Sequence, residues 1–184
     1  WTTDGSYNWK RAVNLCGVGW IIFCTNTGFQ LTGTFWERSP LESLYRAELL
    51  GLCALHLFAQ ALVEFYKVVG WTALLCCDNK RVLEVSSHHT RRICPSAICA
   101  DICRRLKVVK PLLYGTFCYV HVYGHMGCML KWEQLTLTQQ LNCVCDTLAK
   151  CSVASVITHG YHDRPTQLLP KEDVALVIWG NKIT

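Results

Sequence analysis

Apolar residues crowd the stretch VNLCGVGWIIFC, residues 13–24, which predicts a strand. The turn signal Thr25-Asn26-Thr27-Gly28 follows, and GFQLTGTFWE then sets Phe29, Leu31 and Phe35 against Gln30, Thr32 and Thr34. That alternation is the period of a half-buried antiparallel strand. Ahead of both lies WTTDGSYNWK, read as a strand that ends at Asp4, where Asp-Gly has the look of a turn. Together the three predict an antiparallel meander.

The period changes at SLYRAELLGLCALHLFAQALVEFYK. Leucine and alanine recur there at helical spacing, while His56, Gln60 and Glu64, with Glu48 in register two turns earlier, form the opposite, polar side. Ser39-Pro40-Leu41-Glu42 has the spacing of a capping box, and Ser43 is a second candidate cap. WTALLCCDN is a nearly continuous apolar run ending at Asp78. It predicts a buried central strand, reached by a helical crossover and so parallel to its neighbour. Helices are expected at 80–87 and 97–110, separated by Cys94-Pro95-Ser96. In TFCYVHVYGH, Cys118, Val120 and Val122 alternate with Tyr119, His121 and Tyr123, a further strand running into a loop with Gly124 and Gly127. A last helix is expected over 137–151, opened by a capping box of Thr136 and Gln139. Beyond Ser152 a polar segment with Pro165 and Pro170 leads to VALVIWGNKIT, read as a strand, a Gly-Asn turn and a return strand.

The order β-β-β-α-β-α-α-β-α predicts an α/β fold: a mixed five-stranded sheet, made of an antiparallel meander of three plus two parallel strands, with helices packed on it. Residues 1–151 are assigned to this domain and 152–184 to a C-terminal extension of loop plus hairpin.

Composition narrows the class. A chain of 184 residues, 51% of them hydrophobic, can bury a core and is not disordered. No unbroken apolar run approaches the roughly 18 residues of a membrane span, so no membrane association is expected. Thirteen cysteines, an odd number with several inside apolar runs, suit the reduced thiols of an intracellular protein, cytoplasmic or nuclear. The net charge is +5, and the bases concentrate at Lys80, Arg81, Arg91, Arg92, Arg104, Arg105, Lys107 and Lys110. Such a run is either a solvated helical surface or a patch that faces phosphates. His88, His89, Cys94, Cys99 and Cys103 lie close in sequence, but no Cys-x-x-Cys pair accompanies them, which argues against structural zinc.

Acids are few, so their placement carries weight. Asp4 is expected at a strand end, Glu48 in an early turn of the long helix, Asp78 at the carboxyl end of the central strand and Asp146 in the last helix. Open α/β sheets place ligands at the carboxyl ends of parallel strands. Carboxylates gathered there repel one another unless cations neutralise them, and hard oxygen donors suit Mg²⁺ or Mn²⁺. Taken singly, each acid also has a plain structural role as a turn or an exposed helix residue.

The series TDGS, RAELLGL, CDN, YGHMG and NCVCDTLA resembles the ribonuclease H type 1 family in order, spacing and local context over residues 1–151. RAELLGL and CDN are most similar to the versions attached to retroelement reverse transcriptases. The resemblance implies metal ligands at Asp4, Glu48, Asp78 and Asp146, holding two Mg²⁺ ions for which Mn²⁺ can substitute. It implies an RNA–DNA hybrid as substrate, with the RNA strand cut to 5′-phosphate and 3′-hydroxyl ends. It also implies a linked upstream reverse transcriptase domain. The loop histidine, His125, is then associated with proton transfer or product departure. Asn142, four residues before Asp146 on the same helical face, is placed to steady the site. Arg91, Arg92, Arg104, Arg105 and Asn79 are candidate substrate contacts, since a hybrid is held through its phosphates and 2′-hydroxyls.

The chain also departs from the family pattern. Little sequence precedes Asp4, so a first strand cut short at its start and an upstream continuation are expected. Asn79 stands where many members have Ser or Thr, and a Trp- and Lys-rich loop between the third acid and the fifth strand is missing. Two other classes stay open: a non-catalytic scaffold of the same fold, and an integrase- or transposase-like DNA-processing domain, against which Glu48 speaks.

Overall fold

The structure is a computed structural model that describes residues 1–8, 15–38, 43–87, 99–159, 176–178 and 181–183. Strands β1 (Thr2–Asn8), β2 (Leu15–Phe23) and β3 (Gln30–Arg38) form the antiparallel meander, with Asp4 opposite Gly19 and Val18 opposite Phe35. Helix α1 (Leu44–Tyr66) crosses to β4 (Thr72–Cys77). Helices α2 (Lys80–Ser87) and α3 (Ala100–Val109) lead to β5 (Thr116–His121), and α4 (Leu137–His159) follows. The sheet order is β3-β2-β1-β4-β5, with β4 parallel to both β1 and β5. This is the mixed five-stranded α/β sheet that the element order predicts. Strands β6 (Leu176–Ile178) and β7 (Asn181–Ile183) pair as a separate antiparallel hairpin.

Alternation along β2 assigns the two faces. Val18 points at α1, whereas Gly19 points at α4, where an added Cβ would stand 2.2 Å from the Cys145 carbonyl oxygen. Only glycine lets α4 lie that close to the sheet backbone. Under α1 the core gathers Leu49, Leu52, Leu55, Leu75, Ile102 and Val109, and under α4 it gathers Leu15, Val153 and Val156. Burial of each such side chain contributes roughly 1.5–3 kcal/mol. By length and hydropathy α1 and α4 could each cross a membrane; here they pack on opposite faces of the sheet.

Local signals explain the helix starts. Ser43 caps α1 by accepting from the Arg46 amide at 3.1 Å, and Thr136 and Gln139 form a capping box at α4, each accepting from the other's amide. Arg46, only 4% exposed, ties α1 to its neighbours. Its guanidinium donates to both oxygens of Glu37 on β3, at 2.7 and 2.8 Å, and to both oxygens of Asp101 on α3, at 3.0 and 2.9 Å. Burial opposes its charge, but these bonds outweigh that and raise its pKa.

Several expectations change. Asp4 does not end β1; the strand runs on to Asn8, because the ladder with β2 continues past Gly5 and overrides the local Asp-Gly turn signal. Seven residues of β1 pair with β2. Strand β4 is not buried on both faces, since Leu74 is 54% exposed where α4 no longer covers the sheet. Phe29 lies exposed before β3 begins. His56 does not belong to a polar face. It is fully buried, with Nδ1 donating to the Leu52 carbonyl at 2.7 Å and Nε2 2.8 Å from the Tyr119 hydroxyl. That polar pair joins α1 to β5. Helix α3 starts at Ala100 and passes into a 3-10 turn over Lys110–Leu113. Helix α4 continues past residue 151 to His159, and its Val153 and Val156 pack on Leu15. The 39–42 capping box, the 94–96 break, His88, His89, Arg91 and Arg92 lie outside the described residues.

Candidate active site

Only one residue of β1, Thr2, is in ladder register with β4, opposite Cys76. Beyond that pair the two parallel strands part, and Asp4 and Asp78 flank the fork. Glu48 reaches the same point from α1. The cause is Gly5: a Cβ there would come 2.6 Å from the Glu48 amide nitrogen, so the second turn of α1 rests directly on β1. As a result Asp4, Glu48 and Asp78 each offer a carboxylate oxygen, and the three oxygens lie within 4.8 Å of one another.

These acids are hard to ionise together. Asp4 and Glu48 are each 4% exposed, so Glu48 is not the exposed rim carboxylate that its place in the helix suggests. The Gly5 amide donates to Asp4 Oδ1 at 2.7 Å, but Glu48 Oε2 and Asp78 Oδ1 are buried without any hydrogen-bond partner. Burial, then the charge of Asp78, then those of Asp146 and Glu48, push the Asp4 pKa up to about 8 against the weaker pull of the Gly5 bond. Burial and Asp78 push Glu48 up to about 7, against a bond from Asn79. Asp78 is raised as well, by burial first, while His125 and His121 pull it down. Among the described residues no Lys or Arg pairs with any of the three. Buried, unpartnered carboxylate oxygens at this spacing fit a hard divalent cation, which would satisfy them and relieve their repulsion.

Asp146 stands just outside this group. It is held by Lys150, whose Nζ donates to Oδ2 at 2.6 Å across one turn of α4. Its charge still reaches Asp4 and Asp78, raising both. Asn142, one turn earlier, is 2% exposed and its Oδ1 has no hydrogen-bond partner, so it makes no bond through that oxygen to steady Asp146.

The loop after β5 closes the other side. His125 begins a 3-10 turn over Met126–Cys128 in the left-handed region, φ 56°, and is exposed. Gly124 packs against the acid itself, for a Cβ there would lie 2.3 Å from Asp78 Oδ2. His121, the last residue of β5, approaches the Asp78 carbonyl with Nε2 at 3.0 Å. Sequence reasoning passed over His121, although its place at the end of a strand parallel to the one ending before Asp78 was a usable signal. Asn79 caps α2, accepting from the Val82 amide at 3.2 Å, besides its bond to Glu48. Of the candidate substrate arginines, Arg104 and Arg105 lie on α3, and Arg105 turns its Nε into the protein, buried and unpartnered.

The fold matches solved ribonuclease H structures. LC11-RNase H1 in complex with RNA/DNA hybrid superposes with a TM-score of 0.60 at 12% identity, covering 85% of this chain and 96% of that one. The N-terminal RNase H domain of a Mycobacterium tuberculosis protein gives 0.56 at 14% identity, covering 86% and 96%. The PFV RNase H domain gives 0.56 at 14%, covering 84% and 93%. No protein-family model and no curated protein matches the chain. At such identities the likeness is one of fold: this chain has the ribonuclease H-like α/β architecture.

Proposed function

We propose that this protein is an endonuclease that hydrolyses the RNA strand of RNA–DNA hybrids, with Asp4, Glu48, Asp78 and Asp146 as ligands for two divalent ions, Mg²⁺ or Mn²⁺. One observation carries the reading: three carboxylates from three separate segments meet within 4.8 Å, with no Lys or Arg paired to them among the described residues. A fold gains nothing from such a cluster, which destabilises it unless a ligand compensates. The shared fold, and a hybrid bound to one of its relatives, support the substrate class.

When bound, a pair of such ions activates water and stabilises charge on the attacking and leaving oxygens. The chain's own residues set up that chemistry. Asp4 is fixed by its bond from Gly5, Asp78 is confined by Gly124, Glu48 is oriented by Asn79, and Asp146 is oriented by Lys150. His125, exposed on its loop and close enough to act on the charge of Asp78, is placed to pass a proton at the rim. In this reading the domain acts inside a cell, and RAELLGL and CDN favour a setting beside a reverse transcriptase.

The test is a labelled RNA–DNA hybrid incubated with Mg²⁺ or with EDTA. Cleavage only with the metal, leaving 5′-phosphates on RNA, and its loss in Asp78→Asn with folding intact, are expected. Preference for plain duplex DNA would favour an integrase-like activity instead, and no cleavage with metal bound would mark a scaffold.

A further inference from the structure

The site is flanked by a cation that leaves its acids alone. Arg81, in the first turn of α2 and three residues beyond Asp78, is exposed and has no carboxylate partner among the described residues. Its guanidinium carbon lies instead 5.5 Å from the centroid of the Tyr45 ring. Tyr45 is half-buried against the core and sits one helical turn before Glu48 on α1. The pair thus links α1, which carries Glu48, to α2, which starts two residues after Asp78. An arginine on the helix that follows Asp78 is drawn towards the unneutralised carboxylates by their charge. The cation–π contact biases the side chain to stand over the ring instead. Arg81 is exposed, and the planar donor edge of a guanidinium matches two oxygens of a phosphodiester.

We propose that Arg81, held by Tyr45, forms a phosphate-binding subsite that grips a backbone phosphodiester of the nucleic acid beside the acid cluster. The idea rests on the nucleic-acid reading of that site. It sets Arg81 apart from Arg105, whose Nε faces inward. The cluster needs such a partner, because carboxylates repel the polyanion they must approach, and a cation kept out of the cluster offsets this without occupying the metal ligands.

Binding of a fluorescent RNA–DNA hybrid to the full chain carrying Asp78→Asn, which removes cleavage, is measured by anisotropy over a range of salt. One lost phosphate contact lowers the slope of log K against log salt by about 0.9. Arg81→Ala should do this and weaken binding by about tenfold, the loss of one charge-assisted contact. Arg81→Lys should keep the slope while losing part of the affinity, and Tyr45→Phe, which keeps the ring, should preserve both. Melting temperatures should stay level throughout. An unchanged slope in Arg81→Ala, or a fall in its melting temperature that tracks the lost affinity, overturns the subsite, as does failure of the parent protein to bind hybrid. Hybrid cleavage by the unmodified chain is scored separately. Arg81-dependent binding without cleavage sinks the nuclease reading and leaves the subsite standing.

Discussion

Replacing Asp4 by Asn should make the metal-free protein more stable while destroying its site. Asp4 has its pKa pushed from 3.8 to about 8, by burial first and then by Asp78, Asp146 and Glu48. Because the folded pKa is raised, the stability tied to this group is complete below the unfolded value and is lost as pH rises through the folded one. Between those limits the folded chain holds a proton that the unfolded chain releases, so unfolding free energy falls by about 1.4 kcal/mol per pH unit. At about pH 7 the loss reaches about 4 kcal/mol. Asparagine has the same shape, does not titrate, and its oxygen can still accept from the Gly5 amide. In EDTA near neutral pH the variant should therefore melt roughly 10 °C higher, given about 2–4 °C per kcal/mol for a chain of this size. Near pH 4 the two proteins should melt together. Millimolar Mg²⁺ should shrink the variant's advantage to about 1 kcal/mol, since a ligand at 100 times its Kd stabilises the native state by about 2.7 kcal/mol, a gain the variant largely forfeits. Intrinsic tryptophan fluorescence reads all three conditions. An Asn variant no more stable than the parent in EDTA at neutral pH, or an advantage that does not change with pH, would refute the argument that burial and the neighbouring acids disfavour a charged Asp4.

Gly124→Ala puts a methyl group where Asp78 Oδ2 now lies, so it should weaken Mg²⁺ binding, read as the midpoint of a thermal-shift titration, by about tenfold or more; an unmoved midpoint denies the contact. Arg46→Ala strands Glu37 and Asp101, which can partly rehydrate at 24% and 45% exposure. A cost of about 2 kcal/mol in urea unfolding is expected, and a loss below the scatter of the measurement would mean the clamp is ornamental. His125→Ala should slow hybrid cleavage by about 10²-fold with the Mg²⁺ midpoint unchanged, and a shifted midpoint would make His125 a part of the metal site rather than a proton carrier.

The order and type of the elements were legible because they rest on local patterns. Alternation in GFQLTGTFWE, the leucine spacing of the long helix and the Thr136–Gln139 box act over a few residues, so neighbours in sequence suffice to read them. The candidate acids could be named from their expected places at strand ends and in helices, and from the motifs that resemble the ribonuclease H family. What the chain could not display was anything resting on contacts between distant segments. Asp-Gly looked like a turn because its local propensity is that of a turn, and the ladder from β1 to β2 overrides it. His56 looked like part of a polar stripe, yet a single hydroxyl from Tyr119, 63 residues away, makes its burial affordable. Helix spacing says which residues share a side and not which side the sheet covers.

Sequence alone thus determined a meander followed by alternating helices and strands, and with it the chemistry on offer: oxygen donors, a loop histidine and a run of basic residues. The tertiary structure decided that three of the acids share one fork in the sheet, that Glu48 is buried, that Gly5 and Gly124 set the spacing, and that Arg81 stands aside on Tyr45. The physical reason is that desolvation and Coulomb repulsion depend on distances through space, and these are set by how β1, α1 and β4 pack rather than by where their residues fall along the chain.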